Sequence, residues 1–160
     1  MIIHYDDLAA VRSQHANETI VFAGGVFDLV HEGHIEALEL RKGLGDLLVV
    51  GVSTDERVKQ RKGQDRPIRS ETDRISVVHA FRWVDYAFLM PLPNELSPTL
   101  QVITSLRPDI YADGQENVGR WGTDADVIAA LGTRMVFDAI PKINSTSQII
   151  DRVREIQVTN

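Results

Sequence analysis

The 160-residue sequence contains no cysteine, which excludes disulfide bonds and thiolate metal sites and makes a cytoplasmic location the expectation. No apolar stretch approaches the ~20 residues that a membrane-spanning helix needs, and residues 1–7 lack a basic region followed by an apolar run. The net charge of −6 argues against a nucleic-acid partner. The sequence also lacks Gly-x-Gly-x-x-Gly and a glycine-rich loop ending in Gly-Lys-Ser/Thr, so hydride transfer and P-loop NTP hydrolysis lose support.

The composition present is that of one globular domain over residues 1–160, with 43% apolar and 25% charged residues. Charge is distributed unevenly, because residues 57–74 contain seven basic and three acidic side chains, a local charge of +4 in an acidic chain. A compact basic region of this kind indicates a small polyanion as ligand. A solvated surface loop is the alternative.

Apolar runs of strand length alternate with segments of helical period along the whole chain. The runs at 20–23 and 46–52 predict strands that are buried on both faces, as a parallel sheet requires. We therefore expect a single-domain α/β fold, a Rossmann-like doubly wound parallel sheet of about five strands with helices on both faces. The other predicted strands are 84–89, 109–112 and 134–137. Five helices are predicted: one after Gly33, one from about Glu71 to Arg82, one beginning at Ser97-Pro98, one from Asp124 to Leu131, and one beginning at Ser145 or Thr146.

The periodicity also predicts which helical residues face the core. In the first of these helices the apolar pattern consists of Ile35, Leu38 and Leu40 with Ala37, and in the second Ile75, Val78, His79 and Phe81 are expected to face the core. The last helix carries an apolar face, which consists of Ile149, Ile150, Val153 and Ile156.

The chemistry of the chain is expected where the first strand ends, at Gly24-Gly25. The glycine pair lets a ligand approach the backbone and permits unusual dihedral angles. His31 and His34 then begin a helix, where unpaired N–H groups and the helix dipole favour phosphate. A metal site is one alternative, although no third ligand has a recognisable spacing, and a pair of surface histidines is another.

The run Gly24-Gly25-Val26-Phe27-Asp28 with His31-x-Gly33-His34 resembles the motif of the cytidylyltransferase-like nucleotidyltransferase superfamily. The resemblance extends over roughly residues 20–155 and is greatest to the sugar-phosphate branch, which includes ADP-heptose-forming adenylyltransferase domains and glycerol-3-phosphate cytidylyltransferases. Its other pieces are Leu44-Gly45-Asp46, Ser53-Thr54-Asp55, Lys59-x-x-Lys62-Gly63-x-x-Arg66-Pro67, Asp73-Arg74, Val84-Asp85, Arg107-Pro108-Asp109 and Ser145-Thr146-Ser147.

The resemblance implies transfer of NMP from an NTP to a phosphorylated sugar or polyol with release of pyrophosphate. It also implies Mg²⁺ on the triphosphate, a preference for ATP over CTP, and a homodimer. Catalysis would rest on positioning and charge neutralisation. The implied catalytic residues are His31, His34, Lys59 and Lys62, of which Lys59 and Lys62 match lysines that clamp the substrate phosphate and the α-phosphate. The implied phosphate- and nucleotide-binding residues are Gly24, Gly25, Val26, Phe27, Asp28, Gly33, Gly114, Ser145, Thr146 and Ser147, and the implied supporting residues are Arg66, Arg74 and Lys142.

The sequence departs from the branch in two places. Asp113-Gly114-Gln115-Glu116 stands where a lysine, two glycines and an aspartate are usual, and Ile149 stands where many members have an arginine. Phosphate charge would then be met elsewhere, with Lys142 as a candidate. These departures leave the base and the acceptor open, and they support a non-catalytic nucleotide-binding module as an alternative to an enzyme.

Individual residues also have structural interpretations. Lys59 and Lys62 could be solvated surface side chains, and Asp28 could cap a turn or contact a phosphate-bound metal. Ser145 could act only as a helix cap. Arg74 could pair with Asp73 or Glu71 on a helix surface, although its position in the family motif implies an ordering role near the site.

Overall fold

The computed structural model describes residues 1–139 and 146–158. Five strands and seven helices alternate along this part of the chain, with short 3₁₀ turns at Tyr5–Asp7 and Gln115–Asn117. The strands are β1 (Ile20–Gly25), β2 (Leu47–Val52), β3 (Tyr86–Leu89), β4 (Ile110–Gly114) and β5 (Arg134–Asp138). The helices are α1 (Leu8–Gln14), α2 (Glu32–Lys42), α3 (Asp55–Lys62), α4 (Glu71–His79), α5 (Pro98–Leu106), α6 (Thr123–Ala130) and α7 (Thr146–Val158).

The five strands form one parallel sheet in the order β3-β2-β1-β4-β5. The chain builds outward from β1 in one direction through β2 and β3, and then returns to the other side of β1 for β4 and β5. The strand order therefore reverses between β1 and β4, and ligands of open α/β sheets bind beyond the carboxyl ends of the strands at such a point. The predicted α/β fold with a five-stranded parallel sheet is confirmed.

Apolar residues pack on both faces of the sheet, which explains why β1 and β2 read as continuous hydrophobic runs. On one face Phe22 lies between Phe88 and Tyr111, with ring centroids 6.2 and 5.3 Å away, and helices α1, α5 and α6 cover these rings. On the other face α2 packs against β1 and β2, and α4 packs against β2 and β3, with Leu38 and Val78 fully buried. Both faces of the sheet are covered, and its carboxyl edge is left for a ligand.

Helix α3 was not predicted, because residues 57–74 read as a basic surface region. In the structure the Thr54 hydroxyl accepts a hydrogen bond from the backbone N–H of Arg57 and caps the helix. Acidic residues occupy its first turn and basic residues its last turn, which suits the helix dipole. Lys59 and Lys62 therefore lie on a helix. Helix α1 was also absent from the prediction.

The apolar patterns of α2 and α4 are buried only in part: Leu38, Ile75 and Val78 are buried, and other members are exposed. Ile35 and Leu40 are exposed, and the buried residues of α2 are Leu38 and Arg41. In α4, His79 is exposed and Arg74 is fully buried. The physical reason is that each buried guanidinium has a carboxylate partner elsewhere in the fold, so a charged side chain occupies a position that periodicity alone gives to an apolar one.

The apolar face predicted for the last helix is present on α7 but is poorly covered within the described residues. Ile149 and Ile150 are half-buried, whereas Val153 and Ile156 are about half exposed. Homodimer formation stays a prediction. None of the helices in 1–139 and 146–158 is long and apolar enough to cross a bilayer.

Candidate active site

A cleft of about 750 Å³ lies at the carboxyl edge of the sheet, above β2, β1, β4 and β5. Loops that follow these strands and the first turns of α2 and α7 form its walls. Most of the residues predicted from the sequence come together there. Those that line the cleft are Gly24, Gly25, Val26, Phe27, His31, Gly33, His34, Lys62, Gly114, Thr146 and Ser147.

The two histidines lie side by side at the start of α2, with ring centroids 3.9 Å apart. The backbone N–H of His31 donates a hydrogen bond of 3.3 Å to Nδ1 of His34. Because Nδ1 accepts, the neutral His34 ring is assigned its proton on Nε2. The Phe27 ring packs against His34 at a centroid distance of 5.3 Å and fixes its orientation from the other side. His34 is thus held as a hydrogen-bond donor in the cleft.

Both imidazoles are electrically neutral near pH 7. Burial, which is the largest cause, and the positive charges of Arg41, of Lys62 and of His31 when it is protonated together lower the pKa of His34 to about 4. Burial also lowers the pKa of His31. Each ring therefore offers one N–H donor, and positive charge in the cleft has to come from lysine and arginine.

The loop between β1 and α2 is shaped by a close contact between Gly25 and Phe27. A Cβ atom at Gly25 would lie 2.6 Å from Cε2 of Phe27, so only glycine leaves room for this ring. The unusual backbone dihedral expected at the glycine pair lies instead at Phe27, whose φ is 54°. Gly24 and Gly25 remain in the regular geometry of β1. The strain is therefore borne by Phe27, which is almost fully buried and locked by packing.

Asp28 points into the protein. It is 1% exposed, and its carboxylate accepts hydrogen bonds from Nε of Arg66 at 2.8 Å and from the backbone N–H groups of Ile68 and Arg69 at 2.9 and 3.0 Å. Both oxygens are engaged by protein donors. These contacts favour the ordering role of Asp28 over a metal contact, and they make the partly buried Arg66 its ion-pair partner.

Arg74 connects three segments around the cleft. Its side chain is fully buried and donates to the carbonyl oxygens of Val26 and Arg69 and, over 2.7 Å, to Oδ1 of Asp55. The predicted alternative, a surface pair with Asp73 or Glu71, is wrong. Arg74 instead ties the β1–α2 loop to the first turn of α3.

The basic residues of α3 divide between the cleft and the opposite face. Arg57, Arg61 and Lys62 line the cleft, whereas Lys59 is exposed and lies outside the lining. Arg57 and Arg61 were not among the predicted site residues. Their spacing of four is the signal that could have found them, because it puts both on one helical face once Thr54 is recognised as a cap.

A buried ion pair between Arg41 and Asp138 was also missed. Nη2 of Arg41 lies 2.6 Å from Oδ2 of Asp138, and both residues line the cleft. The pair joins the last turn of α2 to the carboxyl end of β5. It places a partly compensated positive charge near His34.

The wall of the cleft after β4 contains Asp113-Gly114-Gln115-Glu116, the segment that departs from the usual sequence of the branch. Asp113 is buried and accepts hydrogen bonds from the Gly114 N–H at 2.9 Å, Asn117 Nδ2 at 2.9 Å and Trp121 Nε1 at 3.2 Å. Burial and the neighbouring Asp113 carboxylate raise the pKa of Tyr111 far above its usual range, so Tyr111 remains a phenol. The negative charge of Asp113 is therefore directed at donors of its own loop.

The first turn of α7 lines the cleft next to the β1–α2 loop. Thr146 Oγ1 donates a 3.4 Å hydrogen bond to the carbonyl of Leu29, and Ser147 lines the cleft beside it. Unpaired N–H groups at such a helix start suit phosphate. Ser145 and Lys142 lie outside the described residues. Within 1–139 and 146–158, no three His, Asp or Glu side chains are grouped so that they could hold a metal ion.

Several known proteins are similar to this chain. It is 37% identical to the bifunctional protein HldE of Citrifermentans bemidjiense over 145 residues, and 37% identical to HldE of Campylobacter jejuni subsp. jejuni serotype O:2 over 150 residues. These alignments cover 91% and 94% of this chain but 29% and 31% of the relatives, so the chain spans about a third of their length.

Solved structures agree with the fold. The crystal structure of a lipopolysaccharide core biosynthesis protein from Thermoplasma volcanium gives a TM-score of 0.65 at 30% identity, covering 78% of this chain and 99% of that one. A pantoate-beta-alanine ligase from Francisella tularensis gives 0.66 at 12% identity, covering 86% and 66%, which shows a shared fold alone.

A profile described as cytidylyltransferase-like matches residues 22–158. This match confirms the superfamily predicted from the glycine and histidine motifs, and together with the HldE relatives it indicates a nucleotidyltransferase. The chain belongs to the cytidylyltransferase-like family.

Proposed function

We propose that this protein transfers NMP from an NTP to a small phosphorylated sugar or polyol and releases pyrophosphate. ATP and a heptose 1-phosphate are the favoured substrates, and the protein acts as a cytoplasmic homodimer. The observation that carries the proposal is the convergence of His31, His34, Lys62 and the first turn of α7 on one cleft. The similarity to HldE supports the sugar-phosphate branch.

In the proposed reaction, a phosphate oxygen of the acceptor attacks the α-phosphorus of the NTP. The new P–O bond forms while the bond to the β-phosphate oxygen breaks, and pyrophosphate leaves with that electron pair. The neutral imidazole N–H groups donate to oxygens on which charge increases, and Lys62 adds positive charge from α3. Positioning and charge neutralisation supply the catalysis, with no covalent enzyme intermediate.

Mg²⁺ enters the proposal as part of the NTP substrate. This ion keeps several water ligands and binds mainly through substrate phosphates and one or two carboxylates. Glu116 and Asp124 are carboxylates in the lining of the cleft, at the wall after β4. We therefore place the metal on the triphosphate, with its remaining ligands from water and at most one or two of these side chains.

The alternative of a non-catalytic nucleotide-binding module was based on the altered loop after β4. The contacts of Asp113 weigh against it, because its carboxylate is engaged by Gly114, Asn117 and Trp121 and its charge is not directed at a nucleotide. A glycerol-3-phosphate cytidylyltransferase differs from the favoured activity in base and acceptor. Competition between ATP and CTP for binding distinguishes these two enzymes.

Pyrophosphate release from ATP and CTP, measured over a panel of phosphorylated sugars and polyols, tests the proposal. For the productive pair, His34→Ala should lower kcat by about 100-fold or more while the Kd for ATP changes by less than about fivefold, since a transition-state donor is lost. His79→Ala is the matched control, because His79 is an exposed histidine outside the cleft. Pyrophosphate release from no pair would refute an enzyme, and equal losses in kcat and affinity would favour the binding module.

A further inference from the structure

Two arginines on the α3 wall of the cleft have no carboxylate partner among the residues that the structure describes. Arg57 and Arg61 line the cleft one helical turn apart, and neither takes part in an ion pair with any described residue. Nε of Arg57 is buried and finds no hydrogen-bond acceptor in the described part of the chain. Buried donors are normally satisfied, so an orphaned guanidinium N–H in a cleft points to an anionic ligand.

The strand order fixes where these arginines lie relative to the other phosphate-binding elements. Helix α3 follows β2, α2 follows β1, and α7 follows β5, in a sheet ordered β3-β2-β1-β4-β5. The histidines at the start of α2 follow β1, the strand next to β2, after which the arginines of α3 lie. The first turn of α7 contacts the β1–α2 loop, where Thr146 Oγ1 donates a hydrogen bond to the carbonyl oxygen of Leu29.

This arrangement matches the geometry that in-line displacement requires. The attacking oxygen and the leaving oxygen lie on opposite sides of the phosphorus. If α7 holds the departing pyrophosphate and the histidines hold the α-phosphate, the acceptor enters from the α3 side. In that arrangement the phosphate of the acceptor meets Arg57 and Arg61 on α3.

We propose that Arg57, with Arg61 on the next turn, binds the phosphate of the acceptor, the role that the family resemblance gives to Lys59. The inference rests on the proposed nucleotidyl transfer. A planar guanidinium donates two parallel N–H bonds to a phosphate from a fixed fork, whereas the ammonium of a lysine acts as a point charge. Ser53, Thr99 and Tyr111 also line the cleft, and their hydroxyl groups suit the polyhydroxyl part of a sugar or polyol.

Binding measurements separate this role from nucleotide binding. Mg²⁺ with α,β-methylene-ATP is titrated first by calorimetry, and glycerol 3-phosphate and inorganic phosphate are then titrated into both the free and the saturated protein. The variants are Arg57→Gln, Arg57→Lys and Lys59→Gln, with Arg134→Gln as a control. Arg134 is an exposed arginine at the amino end of β5, on the opposite edge of the sheet.

Arg57→Gln should weaken binding of both phosphate probes about tenfold or more and change the affinity for α,β-methylene-ATP less than about threefold. Arg57→Lys should fall between Arg57→Gln and wild type, and the Lys59 and Arg134 variants should match wild type. The proposal would be overturned if Arg57→Gln weakened nucleotide binding as much as phosphate binding, or if Lys59→Gln rather than Arg57→Gln weakened binding of the phosphate probes. Failure of both probes to bind the wild-type protein would also overturn it.

The outcome also separates this inference from the proposed function. Phosphate binding that depends on Arg57, in a protein that releases no pyrophosphate from any NTP, would refute the transferase and leave the anion site. Pyrophosphate release that survives Arg57→Gln with an unchanged KM for the acceptor would refute the anion site and leave the transferase.

Discussion

Replacing Arg74 with methionine should destabilise the fold by about 3 kcal/mol, because removal of one partner from a buried ion pair costs ~3–5 kcal/mol. The lower end applies because Asp55, the carboxylate left behind, is 30% exposed and regains some hydration, whereas the Arg74 side chain is 0% exposed. The carbonyl groups of Val26 and Arg69 also lose their donor. Methionine fills most of the volume, so the loss is mainly electrostatic.

Urea unfolding followed by circular dichroism measures this effect. The midpoint should fall with an unchanged m-value, and the thermal midpoint should drop by roughly 6–12 °C, given ~2–4 °C per kcal/mol for a domain of this size. Asp55→Asn should lower the free energy of unfolding less in the Arg74→Met variant than in the wild-type protein, because the two residues interact directly. The reasoning would be refuted if Arg74→Met lowered the free energy of unfolding by less than about 1 kcal/mol, or if the effects of the two substitutions were strictly additive in the double variant.

Two further predictions follow from the loop that carries the histidines. The pKa of His34 is about 4 in the folded protein and 6.5 in the unfolded chain, so the unfolded state binds the proton first as the pH falls. Between pH 7.5 and 5, the free energy of unfolding should therefore fall by about 2 kcal/mol more for wild type than for His34→Asn, as measured in parallel urea titrations. Parallel pH profiles for the two proteins would contradict this. Gly25→Ala should lower stability by about 1–3 kcal/mol in the same assay, because its Cβ would lie 2.6 Å from Phe27. Gly24→Ala, whose Cβ would be 3.4 Å from its nearest neighbour, should cost much less, and similar losses for both would argue against the clash.

The central part of the fold was predictable because it depends on local composition. Strands β1 and β2 are fully apolar over most of their length, and Ser97 with Pro98 marks the start of α5 as a cap and first-turn pair. The histidine motif was predictable for the same reason, since a strand, a glycine pair and a helix start follow one another within fifteen residues.

The remaining features depend on partners that periodicity does not indicate. Helix α3 has Val58 as its one buried residue, so it has no apolar stripe, and it is specified by its Thr54 cap and by charges at its two ends. Arg41 has a charged side chain at a buried position because Asp138, 97 residues later in the chain, neutralises it. Such a pairing becomes visible only when β5 is placed beside β4.

The central position of β1 has a consequence for synthesis on the ribosome. This strand emerges early, yet its second neighbour, beginning near Ile110 opposite Val21, is made about 90 residues later. Until then one hydrogen-bonding edge of the nascent sheet stays unpaired beside the histidine loop. A chain stalled in this interval exposes a hydrophobic strand edge, and it should depend on chaperones until β4 docks.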